Sequence, residues 1–88
     1  MNPETRFDIF IELTDTKTDK VKLKTKMTEA ASIDMADEVI FSSYVRFCRD
    51  VAKRPIERTV YANGIEWYWN GVKYRYFYLA QGGEKFAN

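Results

Sequence analysis

The sequence predicts an α+β domain in which one helix packs on one face of a five-stranded antiparallel sheet, in the order ββαβββ. Three observations predict it: strand-like alternation in residues 6–27, an apolar stripe at helical spacing within residues 28–53, and two Asn-Gly pairs within residues 58–79. A chain of 88 residues fits one domain, 1–88, which buries enough surface to fold without disulfides. The tail 82–88, GGEKFAN, is expected to be flexible.

The first two strands are predicted to form a hairpin. Residues 6–13 place Phe7, Ile9, Ile11 and Leu13 on one face, and residues 21–27 form the second strand. The apolar set of the second strand is Val21, Leu23 and Met27, with Thr25. The polar segment 14–20 between the strands should be an exposed, mobile loop. Alignment of the apolar faces predicts three opposed pairs: Leu13 with Val21, Glu12 with Lys22, and Asp8 with Lys26.

Residues 28–53 are the helical candidate, with Thr28 or Ser32 as the N-cap. Arg54-Pro55 should end the helix because proline removes a backbone donor and restricts the residue before it. The stripe expected to cover the sheet consists of Ile33, Ala36, Ile40, Tyr44, Phe47 and Val51, flanked by Phe41 and Cys48.

The segment 58–79 is predicted to be a three-stranded meander with two-residue turns at Asn63-Gly64 and Asn70-Gly71. In this register Val60 lies opposite Trp67. Trp67, Trp69 and Tyr74 should then share the face that the helix covers. The alternating run 72–79 suits a central strand beside the first one, which favours strand order 2-1-5-4-3, although 2-1-3-4-5 remains open.

The sheet face opposite the helix, called the open face below, carries the main functional signal. It combines aromatic and cationic side chains in a mixture too aromatic for an ordinary solvated surface and too charged for a core. The candidate partner-binding residues are Tyr61, Tyr68, Phe77, Lys73, Arg75, Phe10, Lys22 and Lys24, with Lys26 nearby.

Three interpretations of the open face compete. Tyrosine and arginine are enriched at the centres of protein interfaces, which predicts a protein partner or a second copy of the chain. The same aromatics could stack bases while the cations hold phosphates, which predicts a single-stranded nucleic-acid-binding protein. Ordinary cross-strand pairs, Tyr68 with Lys73 and Glu66 with Arg75, are the third interpretation. The carboxylates Glu66, Asp8 and Glu12 dilute the positive potential and favour a protein partner.

Composition argues against catalysis, metals and cofactors. The chain has no histidine and one cysteine, Cys48, which is expected to be a buried, unreactive thiol. Two charge clusters suit the ends of a helix dipole without any ligand. These are Asp34, Asp37 and Glu38 near the start, and Arg46, Arg49 and Lys53 near the end. We therefore expect a protein that is not an enzyme.

Net charge and hydropathy set expectations about surroundings. The net charge of +1 gives the whole chain no strong attraction to nucleic acid or membranes. No apolar run approaches the ~20 residues of a membrane span, and the polar start is not expected to be a signal peptide. With a single cysteine, a cytoplasmic location is expected.

Two stretches, TEAASIDMADEVIF at the start of the helix and VYANGIEWYWNGVKYRYF after it, resemble small phage-encoded anti-defence proteins, anti-CRISPR proteins among them. The resemblance covers the general plan of hairpin, helix and aromatic meander, and it transfers no functional residue. It implies a stoichiometric inhibitor in the host cytoplasm that covers a surface of a host defence complex.

Overall fold

The chain builds one antiparallel sheet and lays one helix across one face of it. The computed structural model describes residues 5–81, so the tail expected at 82–88 lies outside the described residues. The elements are β1 (Phe7–Asp15), β2 (Lys20–Ala30), α1 (Ile33–Phe47), a π-helical turn (Cys48–Ala52), β3 (Thr59–Tyr61), β4 (Gly64–Trp69) and β5 (Val72–Ala80). The five strands lie in the order β2-β1-β5-β4-β3, which confirms the favoured prediction and makes the order 2-1-3-4-5 wrong.

Strand β5 is the centre of the sheet. It pairs with β1 along its whole length, from Phe7 opposite Ala80 to Asp15 opposite Val72, and with β4 on its other side. Its side chains alternate between the helix and the open face, as the sequence pattern indicated. Lys73, Arg75 and Phe77, on the open face of β5, therefore lie opposite residues of both β1 and β4.

The hairpin of β1 and β2 has a different register from the predicted one. Leu13 lies opposite Leu23, Glu12 opposite Lys24, and Asp8 opposite Glu29. Two register shifts leave Lys22 and Met27 of β2 without a directly opposed residue, which is the pattern of β-bulges. Alternation alone does not reveal a bulge, so the predicted register is wrong, although the predicted contact between Asp8 and Lys26 forms as an ion pair at 3.3 Å.

The helix covers much less of β2 than the sequence predicted. Val21, Leu23, Thr25 and Met27 are all exposed, and in β2 only Ala30 is buried. The bulges also place Val21 opposite Thr14, on the open face rather than on the helix side. The apolar set assigned to this strand is therefore not part of the core.

The connection between β1 and β2 is shorter than the predicted loop 14–20. Thr14 is buried within β1, and exposure begins at Thr16. The Thr16 amide and hydroxyl both donate to the Gly71 carbonyl, at 2.9 and 2.8 Å. These bonds tie the first hairpin turn to the last one, a contact between distant segments that local composition does not indicate.

The helix begins at Ile33 because Ser32 caps it. The Ser32 hydroxyl oxygen accepts a hydrogen bond from the Met35 amide at 3.1 Å. The alternative cap, Thr28, belongs to β2. Ile33, expected at the start of the buried stripe, is exposed at the first turn of the helix.

The predicted end of the helix is a π-helical turn. A π turn inserts an extra residue, so the position that continues the buried stripe after Phe47 moves by one. Ala52 is accordingly buried and Val51 is exposed, although Val51 was expected in the stripe. Lys53 then adopts a left-handed conformation, φ 60°, which ends the helical segment before Pro55.

The core between α1 and the sheet is built from aromatic rings around Trp67. Trp67 stacks on Tyr74 and Tyr76 at centroid distances of 5.7 and 5.1 Å. Tyr44 and Phe47 of α1 approach the same indole, each at 5.3 Å. Trp69 and Tyr74 also contact Phe47, so the predicted assignment of Trp67, Trp69 and Tyr74 to the helix-covered face is confirmed.

Of the two Asn-Gly pairs, Asn70-Gly71 forms the predicted turn and Asn63-Gly64 does not. Asn70 and Gly71 have φ angles of 50° and 78°, as a type I′ turn requires, and they join β4 to β5 as predicted. The first hairpin instead pairs Tyr61 with Gly64 and Val60 with Ile65, so the predicted register is wrong by two residues. Asn63 bonds to Tyr78 of β5 in both directions: its carbonyl accepts from the Tyr78 amide at 2.9 Å, and its side-chain amide donates to the Tyr78 carbonyl at 3.0 Å.

The buried Tyr78 side chain predicts how the stability of the domain changes at high pH. Its hydroxyl donates to the Ala62 carbonyl at 3.2 Å, and burial raises its pKa above the ordinary value of 10.0. A raised folded-state pKa means that the stability it contributes is complete below about pH 10 and is lost as pH rises through the folded value. We expect Tyr78→Phe to cost about 1 kcal/mol at neutral pH but to flatten the loss of stability above pH ~10. Urea unfolding at several pH values, with exposed Tyr68→Phe as the control, measures the difference; equal pH slopes for both variants would contradict it.

Candidate functional site

Rows of side chains run across the open face, because residues opposite each other in adjacent antiparallel strands share a face. One row consists of Tyr61, Gly64, Phe77, Phe10 and Lys26. The next row consists of Thr59, Glu66, Arg75, Glu12 and Lys24. A third row consists of Tyr68, Lys73, Thr14 and Val21. Except for Lys22 at a bulge, every predicted partner-binding residue therefore has a position in one of these rows.

Phe77 lies on the open face, as predicted, but it is not available to a partner. Its exposed fraction is only 5%. The Phe10 ring stacks on it at 5.4 Å, and the Arg75 guanidinium lies 4.5 Å from its ring centroid. On the other side its neighbour is Gly64, which has no side chain to hold the ring away from the sheet. The expectation of three exposed aromatic anchors is therefore corrected to two.

The two exposed aromatic anchors of the open face are Tyr61 and Tyr68, with exposed fractions of 46% and 56%. They belong to adjacent strands, β3 and β4, near one edge of the sheet. The Tyr68 hydroxyl lies 3.4 Å from a Glu66 carboxylate oxygen, and Tyr68 is opposite Lys73 as predicted. Both rings present an apolar body and a polar tip, the combination favoured at protein interfaces.

The charges of the open face alternate in sign along the second row. From β4 to β2 the order is Glu66, Arg75, Glu12 and Lys24, and Arg75 lies 3.8 Å from the Glu12 carboxylate. This alternation neutralises the row internally. It also confirms the predicted pairing of Glu66 with Arg75, which supports the view that part of this face is ordinary cross-strand packing.

A second ion-pair group lies at the far end of the hairpin. Lys26 contacts Glu29 at 2.7 Å and Asp8 at 3.3 Å. The hydrogen bond from Lys26 holds the pKa of the Glu29 carboxyl below its ordinary value, and the same bond raises the pKa of Lys26. Lys26 is thus engaged within the chain.

Lys22, Lys24 and Lys73 form no ion pair within residues 5–81. Lys24 lies 6.0 Å from the Phe77 ring centroid. Lys22 and Lys24 also lie on the edge strand β2, where lysines discourage pairing with the strands of other chains. Lys24 thus lies beside the Phe10–Phe77 pair, whereas Lys73 belongs to the third row, opposite Thr14.

Sequence reasoning missed a concave surface on the helix side. A groove of about 640 Å³ lies between the C-terminal half of α1 and the segment 53–58. It is lined by Tyr44, Val45, Cys48, Arg49, Lys53, Arg54, Pro55 and Arg58. The only sequence signals were the clustered arginines around Pro55, and their convergence depends on a chain reversal that follows the π-helical turn.

Residues 5–81 contain neither a cluster of metal-ligating side chains nor a membrane-spanning helix. No group of three or more His, Cys, Asp or Glu side chains there is arranged to hold a metal ion. No helix there is both long enough and apolar enough to cross a membrane.

Comparison with protein-family models, curated proteins and solved structures finds no match to this chain.

Proposed function

We propose that this domain is a non-catalytic binding module that docks on a protein, or on a protein–nucleic acid complex, through its open face. One observation carries the proposal: Tyr61 and Tyr68 are about half exposed on adjacent strands of a sheet face that no second layer covers within residues 5–81. Tyrosines held on a sheet lose little conformational freedom when a partner buries them, so they suit the centre of an interface.

The surroundings of the two tyrosines support a protein partner. The Phe10–Phe77 pair and the paired charges of the second row give the partner a fixed surface, which lowers the entropic cost of association. The alternating signs of Glu66, Arg75, Glu12 and Lys24 offer a pattern that a complementary charge pattern would recognise. The two tyrosine anchors and the charge pattern thus fit one interface.

The resemblance to phage-encoded anti-defence proteins suggests the sharpest form of this proposal. In that form the protein is a stoichiometric inhibitor that covers part of a host defence complex in the host cytoplasm. Association of two copies through the same face is the alternative use of the tyrosines. Sedimentation of the purified protein over a range of concentrations separates these uses, because only self-association changes the apparent mass.

Combined Tyr61→Ser and Tyr68→Ser substitutions are expected to abolish partner binding while the domain stays folded. Each exposed ring contributes only roughly 0.2–1 kcal/mol of cross-strand contact to folding, whereas a buried interface anchor contributes about 2 kcal/mol or more to binding. Proteins captured from host lysate by the wild type would be identified by mass spectrometry, and the leading one purified for titration with each variant.

Two controls make this experiment specific. Ile33→Ser with Met35→Ser removes two exposed apolar side chains from the helix and should leave affinity unchanged. Phe77→Ser should instead lower the melting temperature, because its ring is buried against Phe10. If the double tyrosine variant retains wild-type affinity for the purified partner, the open face is not the binding site.

Single-stranded nucleic acid is the second candidate for the same face. Tyr68 beside Lys73, which forms no ion pair within residues 5–81, favours it, since an aromatic ring next to a cation can stack a base and hold its phosphate. The carboxylates of Asp8, Glu12 and Glu66 oppose it. Oligonucleotide titration at low salt decides: binding that weakens steeply as salt rises supports nucleic acid, and no binding eliminates this candidate.

A further inference from the structure

The groove on the helix side has an unusual combination of charge and apolar surface. Four cationic side chains line it, those of Arg49, Lys53, Arg54 and Arg58, and among residues 5–81 no acidic residue does. Arg49 is held by its neighbour Asp50 through two hydrogen bonds of 2.8 and 3.0 Å. The other three form no ion pair within residues 5–81. The groove therefore differs from the open face, where carboxylates alternate with cations.

Aromatic rings hold two of these cations in place. The Arg58 guanidinium carbon lies 4.9 Å from the Tyr44 ring centroid and 5.4 Å from that of Phe41. The Arg54 guanidinium carbon lies 5.2 Å from the Trp69 ring centroid. A guanidinium that stacks on a ring can keep its N–H groups available at its edge, where they match the two oxygens of a carboxylate.

The groove wall is also fixed to the helix. The Tyr44 hydroxyl donates to the Ile56 carbonyl, and the Arg54 amide donates to the Cys48 carbonyl at 3.0 Å. These bonds hold the segment 53–58 against the end of the helical region. Because both walls are anchored, the groove exists before any ligand arrives, which reduces the cost of binding.

The lining of the groove distinguishes among anionic ligands. Its lining includes Val45, Cys48, Pro55 and the ring of Tyr44, so it offers apolar contact that a phosphodiester backbone would not use. Sites for small molecules usually enclose most of the ligand, whereas this groove is open along its length. An extended peptide suits an open groove better, because only its side chains need to enter.

We propose that this groove binds an acidic peptide segment of a partner protein, with an apolar side chain on Val45 and Cys48 and flanking carboxylates on Arg54, Arg58 and Lys53. The lining of this groove shares no residue with the open face, although Tyr68 lines a neighbouring pocket with Arg54, and Tyr61 lines another with Arg58. The two proposals are tested by different substitutions, so failure of peptide binding in the groove would not affect the function proposed above.

Selection from a library of random peptides tests the proposal without knowledge of the partner. Peptides would be selected on the immobilised wild-type protein and counter-selected on an Arg54→Gln, Arg58→Gln variant. The enriched peptides are expected to combine Asp or Glu with an aromatic or branched apolar residue, and to lose about tenfold or more in affinity for the variant. Lys17→Gln with Lys20→Gln removes the same charge from two exposed positions, in the first turn and at the start of β2, and should change nothing.

Val45 provides a second variant outside the buried core, because it is 42% exposed. Val45→Asp should abolish binding of the selected peptides by like-charge repulsion. Val45→Lys loses the apolar contact but adds a positive charge, so it should bind these peptides much more tightly than Val45→Asp. Comparison of the two Val45 variants tests the proposal even if replacement of Arg54 and Arg58 lowers the stability of the domain. Equal binding by the aspartate and lysine variants would overturn the proposal.

Cys48 reports where the peptide binds, since it is the only cysteine of the chain and lines the groove. A saturating selected peptide is expected to slow alkylation of Cys48 by iodoacetamide at least severalfold. Unchanged alkylation would overturn the proposal. So would enrichment of peptides without acidic residues, failure to enrich any peptide that depends on Arg54 and Arg58, or groove-dependent binding of single-stranded oligonucleotides alone.

Discussion

Replacing Gly64 by alanine is expected to destabilise the domain by about 3 kcal/mol or more, a large part of the ~5–15 kcal/mol that stabilises a domain. A Cβ atom at this position would meet the Tyr76 carbonyl oxygen and would lie 2.8 Å from the Phe77 Cα atom. Both obstacles are backbone atoms of β5, the central strand. They cannot move aside without loosening the β4–β5 pairing.

Gly71→Ala is the matched control for this prediction. Gly71 has φ 78°, so alanine there pays only the left-handed backbone cost of about 1 kcal/mol. The nearest atom to its Cβ would be Thr16 Oγ1 at 3.9 Å, which is ordinary contact. Urea unfolding of both variants measures the difference. A larger loss for Gly71→Ala would show that the close approach of β4 and β5 at Gly64 is not what requires glycine.

Replacing Trp67 by alanine is expected to cost about 3–5 kcal/mol, because it empties the centre of the core. Trp67 is 1% exposed and contacts rings from β5 and from α1. Losing the indole would leave a cavity between the sheet and Phe47. Trp69→Ala should cost clearly less, because Trp69 is only half-buried at the margin of the same cluster.

Trp67→Phe tests the polar part of this prediction. The Trp67 indole N–H is buried and has no hydrogen-bond acceptor within residues 5–81. Phenylalanine removes that unsatisfied donor as well as some volume, so its cost should be about 1–2 kcal/mol. Thermal or urea unfolding provides the comparison. A phenylalanine variant as unstable as the alanine variant would contradict the account of the core.

Which face each residue occupies was largely predictable from the sequence, and the exact register was not. Side chains alternate with a period of two, so the two-residue error at Asn63-Gly64 left Val60 and Trp67 on the predicted face. The register itself depends on the bonds between Asn63 and Tyr78, which lie far apart in the chain. In β2 the bulges moved Val21 to the other face, and there prediction of the face also failed.

The candidate site was predicted in outline for a similar reason. Alternation placed Tyr61, Tyr68 and Phe77 on one face, but it carries no information about what lies beside each ring. The burial of Phe77 depends on its stacking with Phe10 from β1 and on the missing side chain at Gly64. Only the order of the strands brings these residues together.

The helix-side groove could not be predicted from the sequence, for a different physical reason. The π-helical turn replaces Val51 by Ala52 in the buried stripe and sets the direction in which the chain leaves the helix. The positions of Arg54 and Arg58 follow from that direction. An apolar stripe at regular helical spacing predicts none of this, since one inserted residue changes every later angle.

Hydroxyl-radical footprinting of the protein with its purified partner tests the central claim most directly, because it reports the side chains that the partner covers. We predict that Tyr61 and Tyr68 become protected in the complex, while Ile33 and Met35, exposed on the helix, react as they do in the free protein. Protection of Ile33 and Met35 with unchanged reactivity of both tyrosines would contradict the assignment of the open face as the docking surface.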